Sequence, residues 1–220
     1  MEDSIAIPLE KLISKFYIVR SERVSSNYEI DKMKMLYERV EETNPDRIKW
    51  NNLLNELQHS SYEYAYVFDA PVPAACISLR VKTEIYENGD KEFNEHFIYY
   101  SSLLPVYTIF TDHWVDYADR KANSKRVRTR YLLDDQEETL LSIEKCFKNH
   151  FPHAVYLPHA VGVWNMPGLR LPECNIGDPE NNVFSALFWE TNFTYINIKG
   201  NPNYKLEAFK QFLWSWAIGG

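Results

Sequence analysis

The sequence predicts an α+β fold in which a mainly antiparallel sheet of about six strands is covered by N-terminal and C-terminal helices. Three observations support it. Residues 1–60 show helical spacing of apolar residues, residues 62–133 alternate with a period of two, and residues 134–220 combine a helix, short strands, a long loop and a final helix. No composition shift marks a linker, so we predict one domain over residues 1–220.

The N-terminal third carries apolar residues at intervals of three and four. This spacing predicts helices over Pro8–Val19, Tyr28–Glu42 and Asp46–His59. Pro8 is tolerated in the first turn of the first helix, and Pro45 ends the second. We expect these helices to cover the sheet.

The central stretch predicts an antiparallel meander over residues 76–113. Cys76–Tyr86 alternates as one half-buried strand with its odd-numbered residues inward, and the chain returns through Phe93, Phe97 and Tyr99. Matching the two apolar faces requires a loop of odd length, which a three-residue Glu87–Gly89 loop provides when Gly89 is left-handed. Val106–Thr111 forms the third strand, and Tyr62–Phe68 is a candidate for an additional one.

A strand over residues 125–133 completes the predicted sheet. It places Arg126, Arg128 and Arg130 on one face, about 7 Å apart, as a ladder of bidentate anion donors. The functional interpretation is a docking site for a phosphate, an acidic protein surface or a nucleic-acid strand. The structural interpretation is an edge strand protected by charge and paired with the acidic meander.

The C-terminal third predicts a helix capped by Asp134 or Asp135 and ending near Asn149, followed by short strands and a final aromatic helix that begins near Asn203. The strand candidates are Ala154–Leu157, Ala160–Trp164, Val183–Trp189 and Phe193–Ile198, the last two as a hairpin around Glu190–Asn192. Asn165–Asn182 is a long irregular loop, with Trp164 immediately before it and Arg170 within it. Both are residue types favoured at interfaces, so the loop is either a binding loop or a covering flap.

Charge is unevenly distributed along the chain. The net charge is −7. Residues 61–119 hold ten acidic and three basic side chains, whereas residues 120–130 hold six basic side chains and no acidic one. The overall negative charge argues against a nucleic-acid partner, because phosphates would be repelled almost everywhere except at that basic strip.

Candidate catalytic and metal-binding residues are few. Cys146, His150 and His153 have a spacing that can bring ligands together, but Pro152 interrupts the helix between the two histidines, and the alternative is a buried thiol beside helix-capping histidines. Asp112 and His113, at a strand end, are the candidate acid–base pair, and Cys146 is a candidate nucleophile. No phosphate-binding glycine motif or nucleophile elbow is present, so we expect no cofactor. No CxxC, HExxH or clustered carboxylate–histidine pattern is present either, so we expect no metal.

Three functions fit these features. The first is a non-enzymatic cytosolic binding protein that neutralises a protein partner by electrostatic complementarity, in the manner of an inhibitor or immunity protein. The second is a hydrolase or transferase that holds a small anionic or phosphorylated substrate on Arg126, Arg128 and Arg130. The third is a nucleic-acid-binding module. The start of the sequence lacks the features of a signal peptide and no run of residues is long and apolar enough to cross a bilayer, so we expect a cytoplasmic protein without membrane contact.

Overall fold

The computed structural model describes residues 3–17, 26–42, 46–58, 64–69, 74–117, 125–134, 137–169, 171, 182–188 and 197–219. Within these residues the helices are α1 (Asp3–Ile13), α2 (Ser26–Glu42), α3 (Asp46–Gln58), α4 (Glu138–His150), α5 (His159–Gly162), α6 (Val183–Phe188) and α7 (Leu206–Gly219). The strands are β1 (Tyr64–Asp69), β2 (Ala74–Arg80), β3 (Glu84–Ile85), β4 (Lys91–Ser101), β5 (Val106–Tyr117), β6 (Lys125–Leu132), β7 (Val155–Tyr156) and β8 (Asn197–Lys199).

The described strands form one mixed sheet in the order β1-β2-β4-β5-β6-β8, with β3 beside β4 and β7 beside β5. The predicted α+β class and the meander through β2, β4, β5 and β6 are confirmed, and these neighbours are antiparallel. The C-terminal strands differ from the expectation of an antiparallel sheet, because β7 joins β5 and β8 joins β6 in parallel. The single domain over residues 1–220 stays a prediction.

Helices pack on both faces of this sheet. On one face, α3 and α4 bury a core against the sheet residues Leu79, Ile98, Tyr107, Ile109 and Leu133. On the other face, residues of α1, α2, α5, α6 and α7 bury a second core against Tyr99, Val106 and Phe110. We call these the α3/α4 face and the α6/α7 face. Burial of apolar side chains in these two cores stabilises the fold.

The hairpin at one end of the sheet confirms the predicted turn but not the predicted strand. The Tyr86 N–H bonds the Asp90 carbonyl at 2.9 Å, which leaves a three-residue loop over residues 87–89, and Gly89 has a φ of 87°. The expected single strand Cys76–Tyr86 is instead divided into β2 and β3. Three residues separate Arg80 from Glu84, whereas two separate their partners Glu95 and Glu92. The extra residue forms a β-bulge. Before the bulge, odd-numbered residues such as Leu79 lie on the α3/α4 face of the sheet. After it, the even-numbered Glu84 lies on that side.

Further corrections concern the type or the boundary of an element. The first helix begins at Asp3 rather than Pro8, so Pro8 lies inside it. The fourth begins at Glu138 with Glu137 at its N-cap, and Asp135 lies outside the described residues. The predicted strands Ala160–Trp164 and Val183–Trp189 are wrong, because α5 and α6 occupy most of these segments. The hairpin around residues 190–192 is therefore wrong too, while β8 forms at the end of the predicted strand Phe193–Ile198 and residues 193–196 lie outside the described part.

A buried polar group ties α4 to the sheet. The Tyr107 hydroxyl on β5 donates to the Glu144 carboxylate on α4. Lys205, just before α7, reaches the same carboxylate at 2.6 Å. The Glu144 side chain is 9% exposed, so it enters the core with two hydrogen-bonding partners.

Candidate functional site

Two of the three arginines in the predicted ladder, Arg128 and Arg130, form ion pairs inside the protein. Arg128 and Arg130 both bind the carboxylate of Asp112, on the neighbouring strand β5. The Arg128 Nε and the Arg130 Nε each lie 2.8 Å from an Asp112 oxygen, and the Arg130 Nη2 lies 3.0 Å from one. Asp112 and Arg130 are buried at 0% and 1% exposure. The side chain of Arg126 lies outside the described part of the structure. The pairing with the acidic meander is thus present, and the use of these arginines as anion ligands stays a prediction.

This ion cluster belongs to a row of charged side chains across the α6/α7 face, in which two neighbouring carboxylates lie between two arginines. Strand register places Arg80 opposite Glu95, Glu95 opposite Asp112, and Asp112 opposite Arg130. Arg80 contacts Glu95 at 3.5 Å. The next row holds the stacked rings of Phe93 and Trp114, with Arg80 over the former and Arg128 over the latter. Within the row, two buried carboxylates on β4 and β5 balance the guanidinium groups on β2 and β6, so little positive charge is left for a ligand.

The predicted acid–base pair of Asp112 and His113 does not assemble. Consecutive residues of a strand point to opposite faces, and Asp112 lies on the α6/α7 face. His113 lies on the other face, where its Nδ1 is 2.8 Å from Asn94 Oδ1 and its Nε2 is 3.1 Å from Glu92 Oε1. The two side chains therefore cannot share a proton or a substrate.

The cysteine–histidine cluster is arranged around a carboxylate. His150 on α4 bonds Glu56 of α3 at 2.8 Å, and this bond lowers the pKa of Glu56. Burial, helped by Glu56, raises the pKa of Cys146 to about 12, which disfavours the thiolate that nucleophilic catalysis needs. His153 lies on an exposed turn after α4. Within the described ranges, no group of three or more His, Cys, Asp or Glu side chains is placed to hold a metal ion.

The structure describes residues 165–169, Leu171 and Asn182 of the predicted loop, with Asn165 bridged to Asn182. Trp164 is partly buried and packs against the core of the α6/α7 face, and Met166 is fully buried there. The Trp164 carbonyl accepts a hydrogen bond from Val183, at the start of α6. Arg170 lies outside the described residues. The choice between a binding loop and a covering flap, and the binding role of Trp164 and Arg170, stay predictions.

A polar cavity lies on the α3/α4 face, where that core ends. Its volume is about 690 Å³. Its lining comes from the strands, from the segment between β2 and β3, and from the start of α4: Val81, Asn94, His96, Thr111, His113, Tyr131, Glu137, Glu138, Thr139 and Ser142. Cavities of about 300–1,000 Å³ with a few convergent polar groups are the usual form of a ligand site. We call it the polar cavity.

The register of three strands explains how the polar cavity forms. Asn94 lies opposite His113, His96 opposite Thr111, and Thr111 opposite Tyr131, so all five share one face. Two residues further along the same rows, Ile98 and Ile109 are covered by the α3/α4 core. The cavity is thus the polar continuation of a sheet face whose apolar part is covered.

Hydrogen bonds fix the two histidines of the polar cavity. His96 Nδ1 lies 2.6 Å from Thr111 Oγ1, and the ring is 4% exposed. Burial lowers the pKa of His96 to about 4, so the ring is neutral at physiological pH. His113 is held by Asn94 and by Glu92, and its ring meets Tyr131 edge-on. Both rings are therefore oriented before any ligand arrives.

Negative charge surrounds the polar cavity. Glu137 and Glu138 line it, and none of its described lining residues is Lys or Arg. Beyond His113 the same sheet face continues through Glu92 and its strand partner Glu84. Tyr86 donates a hydrogen bond to both carboxylates, and they raise the pKa of Tyr86 to about 12. We call this stretch the acidic open face; its described members are Glu84, Tyr86, Glu92, Asn94, His113 and Tyr117.

Sequence reasoning named His113 but missed its neighbours Asn94, His96, Thr111 and Tyr131. The sequence does contain a pattern that indicates these residues. Polar residues at Asn94, His96, Thr111 and His113 interrupt the apolar face that Ile98 and Ile109 begin. A polar pair on each of two adjacent strands marks the place where cover by helices stops.

We expect His96 to make stability depend on pH. Its folded pKa of about 4 lies below the unfolded value near 6.5, so the unfolded chain binds a proton that the folded chain does not. Stability present above pH 6.5 is lost as pH falls toward 4, by about 2 kcal/mol at pH 4.5. Urea unfolding of wild type and His96→Gln between pH 7 and pH 4.5 measures this loss, with His153→Gln as the exposed control.

The expected outcome is a smaller loss in His96→Gln than in wild type, and an unchanged loss in His153→Gln. Buried His159, whose pKa burial and Arg130 also lower to about 4, adds a similar contribution that both variants keep. Parallel profiles for all three proteins would show that His96 titrates normally.

Comparison with known proteins gave no match: no family model, no curated protein and no solved structure is similar to this chain. Within the part of the chain that the structure describes, no helix has both the length and the apolar character needed to cross a membrane.

Proposed function

We propose that this protein is a non-enzymatic binding protein of the cytosol, which docks a basic protein partner on its acidic open face. One observation carries the proposal: carboxylates line the part of the sheet that no described helix covers, while Arg128 and Arg130 are turned to the opposite face and bound to Asp112. An inhibitor or immunity protein is the kind of molecule that uses such a surface, because it covers a basic active site by charge complementarity.

The end of the hairpin strengthens the negative field. Residues 82–92 hold four carboxylates and two lysines. Glu84 and Glu87 are exposed, as are the large side chains of Ile85, Tyr86 and Tyr117 at 69%, 44% and 44%. Aromatic side chains beside charges are typical of protein contact surfaces. Charge steers the encounter, and the tyrosines supply rigid contact area.

The two other candidate functions need arrangements that the described residues do not offer. An enzyme that holds an anion beside His113 requires the arginines on the same face as that histidine, yet Arg130 and His113 lie on opposite faces. A nucleic-acid module requires arginines free to bind phosphates, and Asp112 already binds two of the three.

The test is capture of a partner from the lysate of the source cells by three tagged proteins. The first is wild type. The second carries Glu84→Gln, Glu87→Gln, Asp90→Asn and Glu92→Gln, and the third carries Glu38→Gln, Glu41→Gln, Glu42→Gln and Glu207→Gln on α2 and α7. Both variants lose four carboxylates, so only the position of the lost charge differs between them.

We expect wild type and the α2/α7 variant to retain one stoichiometric partner with a basic surface, and the hairpin variant to lose at least about ten-fold in affinity, mainly through a slower association rate. Added salt should weaken the wild-type complex and leave the residual binding of the hairpin variant nearly unchanged. Equal retention by all three proteins would place the partner elsewhere and overturn the proposal.

A further inference from the structure

We propose that the polar cavity is the specificity pocket of the acidic open face, and that it receives the guanidinium group of an arginine side chain from the partner. This inference rests on the proposed function, because it assigns the contact that a basic partner makes there. It goes further by naming one side-chain type and one cavity.

The shape of the cavity fits an inserted side chain. Three strands form its floor and the start of α4 forms its wall, and the volume of about 690 Å³ admits an arginine side chain together with neighbouring backbone. The floor is fixed by hydrogen bonds between its own side chains, His96 with Thr111 and His113 with Asn94. A preorganised pocket of this kind loses little conformational entropy on binding.

The chemistry of the lining favours a cation that donates several hydrogen bonds. Glu137 and Glu138 supply carboxylates, Thr139 and Ser142 supply hydroxyl oxygens, and no described lining residue brings a formal positive charge from Lys or Arg. A guanidinium group presents five N–H donors in a planar fork and accepts no hydrogen bonds. This arrangement matches carboxylates better than the compact ammonium group of lysine does. A phosphate or carboxylate ligand would be repelled by both glutamates.

An aromatic ring at the edge of the cavity already receives a cation. Lys199, on β8 beside Tyr131, places its ammonium 5.3 Å from the centre of the Tyr131 ring. Tyr131 also lines the cavity, so the electron-rich ring is available to a planar guanidinium that stacks on it. Lys199 is then the nearest competing charge on that ring, and its removal should strengthen binding of an arginine side chain.

The experiment is an NMR titration of the full chain, labelled in its histidine rings, with the blocked peptide acetyl-Gly-Arg-Gly-amide. The matched probe is the same peptide with citrulline, which keeps the shape and replaces the charged guanidinium by a neutral urea. We expect saturable shifts of the His96 and His113 signals with the arginine peptide at millimolar concentration, and at least about five-fold weaker binding of the citrulline peptide.

Variants locate the site within the protein. Glu137→Gln combined with Glu138→Gln should weaken binding of the arginine peptide at least about three-fold, and Lys199→Gln should strengthen it about two-fold. Glu207→Gln, on α7 and ion-paired with Lys210, is the control and should leave the affinity unchanged. Equal binding of the two peptides, or no saturable shift up to about 50 mM, overturns the inference.

The two proposals fail in different ways. If the hairpin variant loses the partner while the arginine peptide gives no saturable shift, the docking face stands and the assignment of the cavity falls. If the peptide binds as expected while all three tagged proteins retain the same partner equally, the cavity assignment stands and the docking face falls.

Discussion

Asp112→Asn should destabilise the fold by about 3–5 kcal/mol, the largest loss expected from any single polar substitution in this chain. The reason is the burial of its partners. Arg130 is 1% exposed and the Arg128 side chain 18%, and both form an ion pair with Asp112. Asparagine keeps the shape but removes the negative charge, which leaves two guanidinium groups close together beside an aromatic core. Urea unfolding at pH 7 measures the loss.

Two further variants separate this effect from a general intolerance at the site. Glu138→Gln removes a carboxylate from an exposed helix start and should change stability by less than about 0.5 kcal/mol. The triple variant Asp112→Leu, Arg128→Met and Arg130→Met removes all three charges and should recover most of the loss, because an apolar set can replace a buried ion cluster. A loss below about 1 kcal/mol in Asp112→Asn would mean that water or another acid balances these arginines.

The arginine ladder shows how far sequence reasoning reaches. A period of two along β6 correctly predicts a strand that carries Arg128 and Arg130. It cannot predict that Asp112 lies directly opposite Arg130, since that depends on the register between β5 and β6 and hence on the path of the chain that joins them. The sequence therefore predicts an anion-binding site at Arg128 and Arg130, whereas in the structure these two arginines form an internal ion cluster with Asp112.

The polar cavity depends on register in the same way. Asn94 and His113 are distant in the sequence, and only the pairing of β4 with β5 makes them neighbours. The loop length around Gly89 correctly predicts the register of β3 with β4, but the bulge after Arg80 has no glycine or proline to announce it. Pairings that are set by turns are predictable, and pairings that are set by irregular residues within strands are not.

Short apolar segments were predicted least well. Val183–Phe188 is apolar or small at every position and is fully buried, so a strand period and a helix period describe it equally. Its surroundings decide: Phe184 and Phe188, one helical turn apart, both pack against Tyr99 of β4. The longer helices α2, α3 and α4 carry polar residues on one side, and that contrast made them predictable to within a few residues.

Several of the aromatic residues pack together in the core of the α3/α4 face, and Phe147 is one of them. Phe147 of α4 is fully buried, and its ring centre lies 4.5 Å from that of Tyr107 and 5.0 Å from that of Phe151. Trp50 of α3 and Tyr100 of β4 complete the group at 6.3 Å and 5.9 Å. One ring thus joins two helices to the sheet, on the face that continues into the polar cavity.

Phe147→Ala should therefore lower the free energy of unfolding by about 3–5 kcal/mol, because the ring contacts are lost and the surrounding rings cannot collapse fully into the space. Phe147→Leu keeps most of the volume and should cost less than about 1.5 kcal/mol. Tyr37→Ala, at a side chain 49% exposed on α2, should change stability by less than about 0.5 kcal/mol. Urea unfolding of the three variants ranks them; similar losses for Phe147→Ala and Tyr37→Ala would show that this aromatic cluster is not a cooperative core. If the ranking holds, the floor of the polar cavity rests on one of the most stable parts of the molecule, as a preorganised binding site requires.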